Sequence, residues 1–196
     1  VAVRPNLGYD FGSWAAALEH FPQIRGFDEV LLTNDSMVGP FAPLSEIGEA
    51  MEASEADIFA LTENLQHGQH MQSFFVSFRG GILAQKPWMD FFAAVKQKGN
   101  KDDIVQSYEL GLTRTAQRYG YSWAVMFTTE VLEGGRGNPT FERWRLLLER
   151  GLPMVKRSLV THPQYPATMA EIEAAVQVRF GVTLEQWLPE DLCSDR

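Results

Sequence analysis

The chain has 196 residues, of which 45% are hydrophobic, 21% charged and 12% aromatic, and its formal net charge is −8. These values are typical of one ordinary globular domain and exclude a disordered or collagen-like chain. The negative charge argues against nonspecific nucleic-acid binding, in which Lys and Arg neutralise phosphates. The net charge does not exclude binding of a small phosphorylated ligand, which needs only a local cluster of cations or a metal.

The single cysteine, Cys193, excludes an intrachain disulfide and a Cys-based metal site, so a reducing compartment is the simpler expectation. No apolar run approaches the ~20 residues that cross a bilayer, and no basic-then-apolar leader is present, which predicts a soluble segment. The first four residues, Val1–Arg4, have strand composition and lead directly into a polar loop. We therefore expect one domain over residues 1–196 that is a fragment of a longer protein.

Secondary structure is predicted from composition and spacing. After the initial strand we expect a helix over 15–21 capped by Asp10 or Ser13, then a strand over 27–33. The next expected elements are a helix from Pro43 to about Ala53 and strands over 57–61 and 74–78. Helices over 88–98 and about 103–119 follow, and then a strand over 121–127.

The last third is predicted to be mainly helical. The glycine-rich segment 133–139 is either a lid over a site or a linker. A helix over 141–150, an extended passage over 154–162 and a helix over 167–180 complete the pattern. Because strands and helices alternate before this part, we predict an α/β fold with three layers and a mostly parallel central sheet, followed by the helical region 138–196.

A polar cluster follows the buried strand. Val30–Leu32 leads, through Thr33 alone, into Asn34, Asp35 and Ser36, and then into Gly39-Pro40. Ligands bind beyond the carboxyl ends of strands in such sheets, so this cluster can hold a cation or a sugar hydroxyl. The alternative is an Asx turn that only leads into the Gly-Pro corner.

A second polar cluster lies between the first strand and the first helix. Its polar residues and glycines alternate: Asn6, Gly8, Asp10 and Gly12. Glycines permit close backbone approach while the polar side chains face the space ahead. A plain strand-to-helix turn with a capping Asp is the alternative.

These tracts resemble the rhamnan synthesis F family of bacterial polysaccharide assembly proteins. The resemblance is carried by 4–14, 32–40, His70–Phe75, 138–144 and 151–157. It implies a glycosyltransferase of the nucleotide-diphosphosugar fold whose first, nucleotide-binding strands would precede Val1. Asn34-Asp35-Ser36 then falls where an Asp-x-Asp motif binds the divalent cation and the sugar donor. Only Asp35 is acidic here, and Mg²⁺ or Mn²⁺ can be held by one carboxylate beside phosphates and water. A metal-independent enzyme is the alternative.

The resemblance also gives Glu109 a role. Ser107–Arg114 followed by Gly120-Tyr121 resembles the segment of inverting enzymes in which an acidic residue takes the acceptor hydroxyl's proton. Asp102 and Asp103 are nearby substitutes, and a solvated carboxylate on a helix face is the alternative.

Further candidates come from polar residues downstream. Gln72 and Ser73 match the family and are expected to bind sugar hydroxyls, with a plain strand residue as the alternative for Ser73. Lys156, with Arg136 and Arg157, is expected to meet the diphosphate, and ordinary solvated cations are the alternative. His67 and His70 are too few for a zinc site without a third ligand.

Two functions follow from these observations. The first is transfer of a sugar, for which rhamnose is the first trial, from a nucleotide-diphosphate donor to a lipid-linked or glycan acceptor of a growing cell-surface polysaccharide. Asn6, Gly8, Asp10, Asn34 and Ser36 would bind the donor, Asp35 the metal, and Glu109 would be the base; inversion is expected and retention stays open. The second is a non-catalytic carbohydrate-binding or scaffold domain. The resemblance implies a cytoplasmic location beside the inner face of the membrane.

Overall fold

The computed structural model describes residues 8–95, 105–132, 137–162 and 166–188. The helices are α1 (Tyr9–His20), α2 (Ser45–Ala53), α3 (Lys86–Ala93), α4 (Leu110–Tyr119), α5 (Pro139–Glu142), α6 (Trp144–Glu149), α7 (Arg157–Thr161) and α8 (Pro166–Phe180). The strands are β1 (Glu29–Thr33), β2 (Met37–Val38), β3 (Ile58–Asn64), β4 (His70–Met71), β5 (Phe75–Arg79), β6 (Trp123–Phe127) and β7 (Val155–Lys156). A π-helical turn at Val105–Glu109 leads into α4, and 3-10 turns occupy Pro22–Gly26, Ile82–Ala84 and Glu185–Trp187.

The α/β class is confirmed, but the sheet is mixed rather than mostly parallel. The strand order of the main sheet is β1-β5-β3-β4, and β6 pairs with β3. Among the described strands only β3 and β6 run parallel, whereas the β1–β5, β3–β5, β3–β4 and β2–β7 pairs are antiparallel. The link 65–69 between β3 and β4 is far shorter than the dozen or so residues of a parallel crossover, so these two strands can pair only in the antiparallel direction.

Helices cover both faces of the main sheet, as the packing of the two sides of β3 shows. Its residues alternate between two apolar clusters: Ile58 and Ala60 pack with α1, α3 and α4, while Phe59 and Leu61 pack with α2 and α6. Every residue of β3 is buried. A strand buried on both faces loses the alternation of polar and apolar residues, as the sequence of β3 does.

A third apolar cluster lies in the C-terminal part. Val38 and Phe41, which flank the end of β2, pack there against residues of α6, α7 and α8. The region 138–188 is mainly helical over its described residues, with β7 as its strand. The C-terminal part therefore shares an apolar core with the segment that follows β1.

Several element boundaries differ from the sequence expectation. Helix α1 begins at Tyr9 and not at residue 15, and its N-cap is Gly8, with φ 80° and no side-chain cap; neither Asp10 nor Ser13 caps it. The helix expected over 141–150 is split into α5 and α6, and the extended passage over 154–162 is the short strand β7 followed by α7. Glycine tolerates the left-handed conformation at the start of α1, and the Asp10 side chain accepts a hydrogen bond from Asn34 instead of capping the helix.

In the described part of the chain, no helix has both the length and the apolar character that crossing a membrane requires.

Candidate functional site

A cavity of about 320 Å³ lies beyond the ends of β1 and β4, next to the C-terminal helices. It is lined by the predicted residues Asp10, Asn34, Asp35, Ser36, Gln72, Ser73, Glu109 and Lys156. The other lining residues are Tyr9, Phe11, Phe74, Asn138 and Phe141. Residues that are distant in sequence thus converge on one cavity, although their roles stay predictions.

The two polar clusters predicted from sequence are joined by Asn34. Its Nδ2 donates to Asp10 Oδ2 at 3.0 Å, and its Oδ1 accepts from the backbone N–H of Ser36 at 3.0 Å. The second bond is an Asx turn, so Asn34-Asp35-Ser36 forms the turn and lines the cavity as well. Trp14 Nε1 donates to the carbonyl of Thr33 at 3.0 Å and ties α1 to the end of β1.

The turn is also tied to the C-terminal part through the β2–β7 pair, in which Met37 faces Lys156. Lys156 Nζ donates to Ser36 Oγ at 3.1 Å. Arg157 Nε donates to the carbonyl oxygen of Asp35 at 2.6 Å, and its backbone N–H donates to the carbonyl of Ser36 at 2.9 Å. Arg157 therefore stabilises the turn through its main-chain carbonyls. Asp35 is exposed, and Lys156 lines the cavity.

A buried polar chain forms another part of the wall. Thr62 Oγ1 donates to Gln72 Oε1 at 2.8 Å, and Gln72 Nε2 donates to Asn138 Oδ1 at 3.1 Å. Asn138 caps α5 by accepting from the N–H of Thr140 at 3.1 Å. Gln72 is 3% exposed, and both ends of its amide are bound, so its orientation is fixed.

Glu109 is held by Ser73. Its Oε1 accepts from the backbone N–H of Ser73 at 2.7 Å and from Ser73 Oγ at 2.9 Å. Its Oε2 lies 3.9 Å from Nε2 of His70, and its side chain is 15% exposed. Both bonds are made to Oε1, so a general base at this position would act through Oε2.

The described lining is acidic. It carries the carboxylates of Asp10, Asp35 and Glu109 against one cation, Lys156. No group of three or more His, Cys, Asp or Glu side chains is placed to hold a metal among the described residues. A site with one or two carboxylates still suits Mg²⁺ or Mn²⁺, since these ions keep water and substrate phosphates as further ligands.

Among the described residues, Gly8 was predicted to belong to the site, but it starts α1 and does not line the cavity. Asn6, Arg136 and the substitutes Asp102 and Asp103 lie outside the described residues. His67 is exposed, and His70 is buried at 1% exposure.

Sequence reasoning missed the roles of Asn138, Tyr9 and Phe141 in the wall. A signal for Asn138 existed, because Asn followed by Pro is a typical helix start. Tyr9 has φ 51°, which is uncommon for a residue other than glycine, and no pattern in the sequence predicts it.

Comparisons with known proteins identify the family of the chain. A family model described as "Rhamnan synthesis protein F" matches residues 1–179. The chain is 26% identical over 204 residues to "Virulence protein VirA" of Vibrio anguillarum, and the same figures hold for that protein in strain ATCC 68554 / 775. The match covers 87% of this chain and 66% of the relative, so the chain spans about two thirds of that protein's length. No solved structure matches. Because the family model covers residues 1–179 of 196, the chain belongs to the rhamnan synthesis protein F family.

Proposed function

We propose that the chain is the catalytic part of a glycosyltransferase of nucleotide-diphosphosugar type that acts in polysaccharide synthesis. It moves a sugar, with rhamnose as the first candidate, from a nucleoside-diphosphate donor to a lipid-linked or glycan acceptor. The family supports a role in rhamnan synthesis. The observation that carries the proposal is the convergence of Asp35, Lys156 and Glu109 on one cavity.

The charge of the cavity supports a cation-assisted donor site. A diphosphate brings negative charge to a lining that already has three carboxylates and one ammonium among its described residues. The carboxylates of the lining and the phosphates of the donor repel each other, and the single positive charge of Lys156 does not neutralise a diphosphate. Asp35, with Asp10 beside it, would hold Mg²⁺ or Mn²⁺. The ion would stabilise the charge that develops on the leaving phosphates.

The polar wall supports sugar binding. Ser73, Gln72 and Asn138 present hydroxyl and amide groups, while Tyr9 and Phe141 add aromatic surface. Glu109 accepts the proton of the acceptor hydroxyl as that oxygen bonds to the anomeric carbon and the bond to the diphosphate breaks. Attack from the face opposite the leaving group inverts the anomeric centre.

Calorimetry tests the donor site. The full chain is titrated with UDP, GDP and dTDP, each with and without Mn²⁺, and then with the corresponding nucleotide sugars. We expect Mn²⁺-dependent binding that Asp35→Ala abolishes. The matched control is Asp28→Ala, an exposed aspartate just before the other end of β1. Mn²⁺-independent binding, or binding equal in wild type and Asp35→Ala, would remove the donor-site assignment.

A non-catalytic carbohydrate-binding domain is the second candidate. It is favoured by the two hydrogen bonds that Ser73 already makes to Glu109 Oε1, because they occupy part of the proposed base. Rhamnose oligosaccharides distinguish the two functions. Binding of such glycans with no nucleotide binding and no release of nucleoside diphosphate supports the second function and refutes the first.

A further inference from the structure

His70 is a buried histidine whose second ring nitrogen is left without a hydrogen-bond partner. The residue is 1% exposed, and its Nδ1 lies 2.7 Å from the carbonyl oxygen of Gly68. A carbonyl only accepts, so Nδ1 carries a hydrogen in this contact. Nε2 has no hydrogen-bond partner among the described residues. A buried polar atom without a partner is costly and calls for an explanation.

The group that Nε2 faces is the proposed base. Glu109 Oε2 lies 3.9 Å from Nε2, which is longer than a hydrogen bond. Ser73 donates twice to the other oxygen, Oε1. With Nδ1 protonated and the carboxylate charged, two lone pairs face each other across this gap. One proton between them would turn the gap into a hydrogen bond.

We infer that His70 is a positioning residue that shares with Glu109 the proton taken from the acceptor. This inference rests on the proposed transfer reaction. When the acceptor oxygen bonds to the anomeric carbon, the bond between that carbon and the diphosphate breaks and its electron pair leaves with the diphosphate. The acceptor proton moves to Glu109 Oε2, which then donates to Nε2 of His70 or passes the proton to it. Either position leaves the same number of protons on the pair, so the proton is shared between the two groups.

The surroundings of His70 leave Glu109 as its charged neighbour. The strand β4 packs against β3 and α4. On β3, the Glu63 carboxylate accepts from Gln69 Nε2 and from the N–H of Thr129. Arg114 and Arg118 of α4 are exposed, as is His67 in the preceding turn. Among the described residues, Glu109 is the acid within ion-pair distance of the His70 ring.

Two substitutions separate the proton role of His70 from its structural role. His70→Asn keeps an amide N–H near the position of Nδ1, where it can still donate to Gly68, but it has no group at the position of Nε2. His70→Gln places a non-titrating amide near the position of Nε2. The matched control is His67→Asn, because Asn tolerates the positive φ of 61° at that exposed position.

The first test does not depend on activity. The ring nitrogens of the four histidines are followed by ¹⁵N NMR in the full chain as the pH is lowered, with assignment by substitution. We expect Nε2 of His70 to change toward the protonated shift at a higher pH in the wild type than in Glu109→Gln. Identical curves in the two proteins would overturn the inference, whether or not the chain transfers sugar.

The second test uses release of nucleoside diphosphate from the nucleotide sugar that binds. We expect His70→Asn and His70→Gln to lower kcat by about tenfold or more, since general-base steps contribute ~10²–10⁴-fold. KM should stay near the wild-type value, the pH dependence of kcat should change, and His67→Asn should behave like the wild type. Loss of activity in Glu109→Gln together with unchanged kcat and pH profile in both His70 variants would overturn the inference and leave the transferase intact.

Discussion

Gly39 is the residue whose substitution we expect to disturb the site most strongly from outside the cavity. It follows β2 and has φ +133°, a conformation that residues with a side chain rarely adopt. A Cβ atom there would lie 2.5 Å from the carbonyl oxygen of Pro153 and 3.2 Å from Cα of Met154. That same carbonyl accepts from the N–H of Phe41 at 2.8 Å. Gly39→Ala therefore forces apart the backbone segments that lead into the β2–β7 pair.

The expected loss of stability has two parts. Backbone strain at a glycine-only conformation costs about 1–3 kcal/mol, and overpacking against main-chain atoms costs about 1–3 kcal/mol. Their sum is a destabilisation of roughly 2–6 kcal/mol. The matched control is Gly48→Ala in α2, where a Cβ atom meets nothing within 4 Å. Alanine is the better helix former, so this control should gain about 0.5–1 kcal/mol.

Urea unfolding followed by circular dichroism measures both effects. With a slope of about 1–3 kcal/mol per molar urea, Gly39→Ala should lower the midpoint by about 1 M or more, and Gly48→Ala should raise it slightly. Calorimetric binding of nucleotide should weaken in Gly39→Ala, because β2 and β7 position Ser36 and Lys156. A Gly39→Ala midpoint equal to the wild-type midpoint would refute the packing described for this corner.

Three further predictions concern single polar side chains. Gln72→Leu leaves the fully buried Thr62 hydroxyl without its acceptor, so it should lower the free energy of unfolding by about 1–3 kcal/mol in urea titrations. Trp14→Phe removes the donor to the Thr33 carbonyl and should cost about 0.5–1.5 kcal/mol for the lost bond, in addition to lost packing. Partial burial, and then nearby negative charge, raises the pKa of Tyr121 above its usual 10.0. The unfolded chain thus releases this proton first, so stability should fall as the pH rises above about 10, and Tyr121→Phe should flatten that fall in titrations between pH 8 and 11.

The sequence predicts which segments form the strands, but it does not predict how the strands pair. Short apolar runs bounded by turn residues located β1, β3, β5 and β6 to within a few residues. Strand direction is not encoded in those runs, because a strand buried on both faces looks alike in parallel and antiparallel sheets. The short link 65–69 became visible only with β4, which the sequence did not predict; the expected strands 57–61 and 74–78 left the segment 62–73 between them, about the dozen residues that a parallel crossover needs.

Asp10, Asn34 and Asp35 were assigned to one donor site from the pairing of their two polar clusters and the family resemblance around both. All three line one cavity in the structure, and a hydrogen bond joins Asn34 to Asp10, while their roles stay predictions. The neighbourhood of Glu109 was out of reach, since Ser73 lies 36 residues away in sequence. Contacts between residues so far apart in the sequence produce no periodic pattern that a single sequence could reveal.

The C-terminal part of the chain forms part of the cavity wall, so it does more than extend the main sheet. Asn138, Phe141 and Lys156 line the cavity, so part of its wall comes from beyond residue 137. Val38 and Phe41, which follow the Asp35 turn, are buried against residues of the C-terminal cluster. Removing that cluster would expose both side chains and unpair β2, and burial of such side chains is worth about 1.5–3 kcal/mol each. The turn that carries Asp35 therefore depends on both halves of the chain, and so does the donor binding we propose for it.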